Sequence, residues 1–239
     1  MTPFRTILAE AERRNGGAAG LAALVPVPKS PAELAAVPDD RYLSTMSLRI
    51  FRAGLKHELV DAKWPAFEKA FHRFEPRRVR AMSDEAMERL MEDKRLIRHW
   101  GKLKSVRANA AAMAKLDEEH GSMGRYLADW PDGKVIALWD DLAKRFSQMG
   151  GNSAAYFLRM VGKDSFILTP YVVSGLNKWG AFTGEPKSKA DRAKVEAALL
   201  AWAKEAKRPL CQVSMILARA TEHAGAPPPH RGAGPAARP

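Results

Sequence analysis

The stretch FSQMGGNSAAYFLRMVGKDSFILTPYVVSGLNKWG, residues 146–180, decides how this chain is read. Two adjacent glycines, Gly150 and Gly151, separate two apolar segments with helical spacing. Upstream, Val135, Leu138, Trp139, Leu142 and Phe146 recur at three- and four-residue intervals, and downstream Tyr156, Phe157 and Met160 do the same. The first helix is predicted to end near Gln148 and the second to start at Asn152 or Ser153. Glycine admits positive φ and leaves no side chain in front of an approaching surface. A helix starting there presents N–H groups and the positive end of its dipole. Gly150, Gly151, Asn152 and Ser153 are therefore candidates for a sequence-independent phosphate contact. The same residues also describe an ordinary turn between helices. Further on, Thr169-Pro170 supplies an N-cap and a first-turn proline for a helix running to Trp179.

Outward from this stretch the chain reads as helix after helix. Asp39 or Asp40 can cap a helix carrying Tyr42, Leu43, Met46, Ile50 and Phe51, which Ala53-Gly54-Leu55 interrupts. Pro65 suits the first turn of the next helix, with Phe67, Ala70 and Phe71 on one face. Ser83-Asp84-Glu85-Ala86 is a capping-box-like start. A long helix is predicted from about His99 to Leu116, its buried stripe made by Leu103, Val106, Ala110 and Met113. The last helices are predicted at 188–205 and 209–220. There is no useful period-2 run and no internal repeat, so the class is all-α. The expected organisation is an N-terminal arm and linker over 1–38, irregular from Gly16 to Pro38, then a helical domain over 39–223. A Pro/Gly/Arg tail over 224–239 is expected to be disordered.

Composition bounds the function. The chain has 239 residues, 46% of them apolar, with 39 Lys+Arg against 27 Asp+Glu and a formal charge of +12. Such a surplus favours a polyanionic partner, nucleic acid first and an acidic membrane surface second. Cys211 is the only cysteine, so no intrachain disulfide and no Cys-rich zinc site can form. Flanked by Leu210 and Val213, it reads as a small buried hydrophobe. No apolar run approaches a membrane span, and the first residues lack an apolar core followed by a cleavage site. The expectation is a cytoplasmic, monomeric protein away from membranes, without metal or cofactor.

A second stretch narrows the reading: LRIFRAGLKHELVDAKWPAFEKAFHRFEPRRVRAMSDEAMERLMEDKRLIRHWGKLKSVRANAAAM, residues 48–113. Ala53-Gly54-Leu55, Phe71-His72-Arg73-Phe74-Glu75-Pro76, Val79, Met82, Ile97-Arg98-His99, Gly101-Lys102 and Ala108-Asn109-Ala110 follow one another in an order that resembles the 3-methyladenine DNA glycosylase I family. The order of helix, glycine hairpin, helix and Thr-Pro-capped helix resembles the wider helix-hairpin-helix DNA glycosylase superfamily. Together the likeness covers about residues 40–180. It implies a two-lobed all-helical fold with the base pocket between lobes. It also implies excision of N3-methylated adenine from double-stranded DNA with alkylated bases, the base being flipped out of the stack.

The resemblance carries residue roles with it. Gly54 and Leu55 fall on the loop that fills the gap left by the flipped base, a wedge of the kind used in distorted DNA; a simple kink between helices is the plainer reading. The family's pocket glutamate falls on Arg49 and its stacking tryptophan on His57. The superfamily's lyase lysine falls on Ser153, so a Schiff-base lyase is not expected. The family's zinc ligands have no counterparts. Tyr42 and Phe51, with Arg49 and His57, are candidates for the base pocket, although aromatics at helical spacing also build cores. Glu58, His57 and Asp61, just past the loop, are candidates to stabilise a cationic sugar or orient water; Glu58 comes first, and a solvated helix face is the bland alternative. Lys102, opening the long helix, is a candidate phosphate contact. Three readings stay open: a monofunctional glycosylase for alkylated purines, foremost 3-methyladenine; a glycosylase with altered base specificity; and a noncatalytic DNA-binding or lesion-sensing protein.

Overall fold

The computed structural model describes residues 1–221. The tail expected over 224–239 lies outside them. The described residues form helices joined by turns, with no strand among them, and none of these helices is long and apolar enough to cross a membrane. The chain divides into two compact units. Of the described residues, one takes Met1–Pro28, Pro131–Leu138 and 164–221; the other takes Lys29–Trp130 and Trp139–Lys163.

The first unit opens with α1 (Phe4–Arg14) and α2 (Gly17–Ala22), and the second with α3 (Pro31–Ala35). The irregular arm expected from Gly16 to Pro38 is thus corrected: much of it is helical. Ser30 and Glu33 close a reciprocal capping box, Pro31 starts the helix, and Leu34 is buried. Gly16 enters α2 at φ +79°, and Leu21 is buried. Short helices with a cap and one buried leucine are masked in an Ala/Pro/Gly-rich composition.

The second unit continues with α4 (Asp39–Arg52), α5 (His57–Ala70), a 3₁₀ turn (His72–Phe74), α6 (Pro76–Arg80), α7 (Asp84–Arg89), α8 (Trp100–His120) and α9 (Met123–Asp129). Then come α10 (Val135–Arg145), whose first residues, up to Leu138, belong to the first unit, and α11 (Ser153–Val161). Pro65 lies inside α5 rather than in its first turn. It forgoes one backbone bond, but Val60, Phe67 and Phe71 are buried along one side, and this common face holds the helix together. Phe51 packs edge-on against Phe67 at 4.6 Å between centroids, and Trp64 stacks on Phe67 at 5.0 Å and on Phe74 at 5.3 Å. Each such buried ring stabilises the unit by about 2–3 kcal/mol. Burial of Phe71 and Phe74 also keeps His72, Arg73 and Phe74 at positive φ, with Arg41 donating to the Arg73 carbonyl at 2.6 Å.

α12 (Pro170–Lys178), α13 (Lys189–Ala206) and α14 (Leu210–Thr221) complete the first unit. Phe4 and Trp202 meet in its core at 6.1 Å, and the Trp202 indole donates to the Thr2 carbonyl at 2.9 Å. Asp164 accepts from the N–H groups of Leu210 and Cys211 at the start of α14. α12 and α14 approach so closely at Gly175 that a Cβ there would come within 2.7 Å of Leu217. Cys211 is buried in this unit, as its apolar neighbours suggest.

Candidate functional site

The turn after α4 is suspended from a lysine. Lys102, in the first turn of α8, donates its ammonium to the carbonyls of Phe51 at 3.2 Å and Ala53 at 2.5 Å. These carbonyls belong to the C-terminal end of α4, where the dipole is negative and acceptors lack helical partners. The side chain is 8% exposed, and burial, with Arg49 adding repulsion, pulls its pKa below the ordinary lysine value. The expectation that Lys102 meets a DNA phosphate is therefore corrected: its charge is spent inside the protein. Beyond the clamp, Gly54 turns the chain at φ +76° and Leu55 stands 37% exposed at the tip. Leu59, one turn into α5, is 52% exposed as well. Leu55 and Leu59 thus put two large apolar side chains in water at one turn. In the sequence Leu59 reads as part of an ordinary helix start, and only the structure shows it exposed.

The two-glycine turn is held differently. α10 ends at Arg145, short of the expected Gln148, because Phe146 and Met149 are drawn into the core and Gln148 takes φ +65°. Asn109 of α8, fully buried, grips the turn with both ends of its amide. Its Oδ1 accepts from the Ser147 N–H at 2.7 Å and its Nδ2 donates to the Ser147 carbonyl at 3.1 Å. Gly151 has φ +57°, so the turn itself explains this glycine. Gly150 has no such φ, and a Cβ on it would meet nothing within 4 Å. Neither backbone strain nor internal packing accounts for Gly150. Asn152 stands at the N-cap of α11 without a side-chain cap bond, whereas Ser30, Ser83, Ser122, Thr169 and Ser188 all cap their helices. Gly150, Gly151 and Asn152 are exposed, and Ser153 is buried under the first turn.

One helix thus braces both turns. Lys102 and Asn109 lie two helical turns apart on one face of α8, about 10 Å along its axis. The role of Asn109 had a signal in the sequence: an amide within the apolar stripe of Leu103, Val106, Ala110 and Met113 has to find a polar partner when buried.

The candidates for the pocket separate clearly. Tyr42 is fully buried, donates its hydroxyl to the Leu34 carbonyl at 2.8 Å and packs on Phe157; Phe51 is fully buried in the aromatic stack. Both expected pocket walls are corrected to core, the usual fate of aromatics at helical spacing. Asp61 chelates Arg52 with 2.9 and 2.7 Å bonds; Arg52 is 4% exposed and Asp61 45%. That pairing keeps a buried guanidinium neutralised, and it corrects Asp61 from a catalytic candidate to a structural partner. Glu58 is exposed in the first turn of α5, and His57 is half-buried at its first position. Arg49 is half-buried with its guanidinium carbon 4.5 Å above the Tyr156 ring. Its Nε is buried without a hydrogen-bond partner. Burial lowers its pKa, with Tyr156 opposing the fall and Arg52 adding to it. Tyr156, one turn into α11, was not foreseen as a site residue; in the sequence it is one of several aromatics at core spacing.

These features sit in the part of the chain that known proteins share. A 67-residue segment is 37% identical to DNA-3-methyladenine glycosylase 1 of Escherichia coli (strain K12), covering 28% of this chain and 36% of that protein. The chain thus aligns with about a third of the length of that curated relative. A crystal structure of 3-methyladenine DNA glycosylase I shares 24% identity over 57% of this chain and 81% of the other, with a TM-score of 0.47. The enzyme from Staphylococcus aureus, solved to explain 3-methyladenine recognition, shares 24% identity over 52% of this chain and 77% of the other, also at 0.47. The family model described as methyladenine glycosylase matches residues 35–156, just over half of the chain and the whole run from the Gly54 turn through the two-glycine turn. The chain belongs to the methyladenine glycosylase family.

Proposed function

We propose that this protein is a monofunctional DNA glycosylase that hydrolyses the N-glycosidic bond of alkylated purines, with 3-methyladenine as the reference substrate. The observation that carries the reading is the double brace of α8. An apolar tip at Leu55 and an open glycine turn at Gly150-Gly151 are fixed to one helix by Lys102 and Asn109. A protein that flips a base needs both: something to fill the stack and something to grip the backbone beside it. The charge of +12 supplies the long-range attraction to duplex DNA. We place the protein's work in the cytoplasm, as a monomer.

In the reaction proposed, the bond between the sugar C1′ and the purine nitrogen breaks and its electron pair leaves with the base. A methylated cationic purine departs neutral. Water adds its oxygen to C1′ and gives up a proton. Glu58, exposed in the first turn of α5 just past the wedge, is the carboxylate assigned to stabilise the cationic sugar. Ser153 stands where a lyase would need an amine, so hydrolysis leaves an abasic site with the strand intact. The test is single-turnover base release from methylated duplex, with chromatography of the freed bases. The parent is expected to release 3-methyladenine, and Glu58→Gln to slow release about 100-fold while DNA affinity stays. Tight, salt-sensitive DNA binding without any base release would replace this reading with a noncatalytic lesion sensor.

A further inference from the structure

The corner between α5 and α6 carries cations that the two turns do not use. His72, Arg73 and Phe74 take φ of +51°, +58° and +59°, a left-handed run that residues other than glycine rarely enter. Burial of Phe71 and Phe74 fixes the run from inside and leaves Arg73 exposed. Glu75 then caps α6, its carboxylate accepting from the N–H groups of Arg77 at 3.1 Å and Arg78 at 3.0 Å. Val79 is buried, while Arg77, Arg78 and Arg80 are exposed. Arg78 donates to the His72 Nδ1 at 3.1 Å. Among the described residues no carboxylate pairs with Arg73, Arg77, Arg78 or Arg80, whereas Arg41, Arg52, Arg107 and Arg145 each hold one. The acids nearest in the chain are engaged elsewhere: Glu68 by Arg41 and Ser44, Glu75 by the cap, Asp84 by Arg107.

The corner and both turns belong to the second unit. α6 packs on α8, and just past α6 the Arg107 guanidinium donates to the Met82 carbonyl at 2.8 Å and to Asp84 at 2.6 Å. At about 100° per residue, Arg107 stands about 140° around α8 from Lys102 and about 160° from Asn109. The chain leaving the corner therefore meets a different face of α8 from the two turns. We propose that the 72–80 corner is a binding surface for duplex DNA, distinct from the two turns, that grips phosphates without reading bases. Arginine presents planar forks of donors that match phosphate oxygens two at a time. The large apolar side chains exposed among the described residues are Met1, Val27, Leu55 and Leu59, none of them at the corner. A helix lying on a membrane needs an apolar face, and a protein interface needs an apolar centre, so a phosphate backbone fits the corner best. The net charge of +12 complements such a partner. With the turns holding one duplex segment, as the proposed function requires, one molecule can hold a second at the corner.

The test mixes the full chain at low salt with two short undamaged duplexes, one carrying a donor dye and the other an acceptor. Bridging by the protein is read as energy transfer, and binding of one duplex is read in parallel by anisotropy. The parent is expected to bridge, and four phosphate contacts give that bridging a log–log salt slope of about −3 to −4. Arg73→Gln, Arg77→Gln and Arg80→Gln combined should weaken bridging about tenfold or more and leave binding of one duplex within about twofold. Lysine at the same three positions keeps the charge and should keep bridging within about threefold. Bridging that survives the glutamine variant would overturn the inference. So would absence of bridging in the parent when the glutamine variant binds one duplex as the parent does, or loss of bridging in the lysine variant. Charge-dependent binding to phosphatidylserine vesicles, with none to duplex, would overturn it in favour of a membrane surface. Loss of all duplex binding in the glutamine variant would keep the corner as a DNA surface and reject the two turns as one. Base release is measured separately, so a protein that bridges duplexes and releases no base keeps the inference and loses the glycosylase reading.

Discussion

The turn at Ala53-Gly54-Leu55 hangs from a cation, whereas the turn at Ser147 to Gly151 hangs from a neutral amide. Both anchors come from α8, and both grip backbone rather than side chains. The chemistry differs because the backbone offers different groups. A helix ends at the first turn and presents only carbonyls, which a lysine can satisfy and an asparagine can satisfy only in part. The second turn presents an N–H and a C=O from one residue, which an amide matches at both ends and a lysine cannot. The lesson is that a positively charged residue in a protein proposed to bind DNA has to be followed to its partner before it is assigned to a phosphate.

The amide anchor should be the more fragile. Asn109→Ala removes both bonds to Ser147 at once and leaves a cavity in a fully buried position. A loss of about 2 kcal/mol is expected in denaturant unfolding, with DNA affinity falling as the glycine turn loosens. A change below about 0.5 kcal/mol would mean that Phe146 and Met149 hold the turn by themselves.

Lys102→Met should cost less, about 1 kcal/mol. Two charge-assisted bonds are lost, but so is the burden of keeping an ammonium buried beside Arg49. Its larger effect should be functional: with the clamp gone, Leu55 is no longer fixed, and base release should slow more than ground-state DNA binding weakens. If Lys102 instead contacted a phosphate, the variant would lose about one charge from the slope of affinity against salt. An unchanged slope is the expected result.

The smallest effect on stability, and the sharpest on the comparison, comes from the two glycines. Gly151→Ala should cost about 1 kcal/mol because φ is +57°. Gly150→Glu should leave stability within about 0.5 kcal/mol, since the space around its Cβ is open. The same variant should weaken DNA binding about fivefold to tenfold, through bulk and negative charge at a helix N-terminus. Unaltered DNA affinity for Gly150→Glu would reduce the hairpin to a plain turn.

The class, the order of the helices and the two turns were legible because they depend on local signals. Apolar residues at three- and four-residue spacing, Ser83 and Thr169 as caps, and glycines between periodic segments act over a few residues. Even the break at Ala53 and the start of α8 at His99 follow from neighbours in the chain. Errors arose where a short-range rule met a packed neighbour. Pro65 could sit inside α5 because Val60, Phe67 and Phe71 hold that helix against the core.

The roles of the polar residues were decided only in three dimensions. Lys102, Asp61 and Arg49 are each a charged residue on a helix, and nothing local distinguishes them. What separates them is which unsatisfied group lies opposite: helix carbonyls for Lys102, a buried guanidinium for Asp61, an aromatic face and no carboxylate for Arg49. Those partners lie 49, 9 and 107 positions away in the chain. Sequence periodicity reports which side of a helix is buried. It carries no information about which distant donor or acceptor the fold will bring to that side, because hydrogen bonding acts between neighbours in space and its strength ends within a few ångströms.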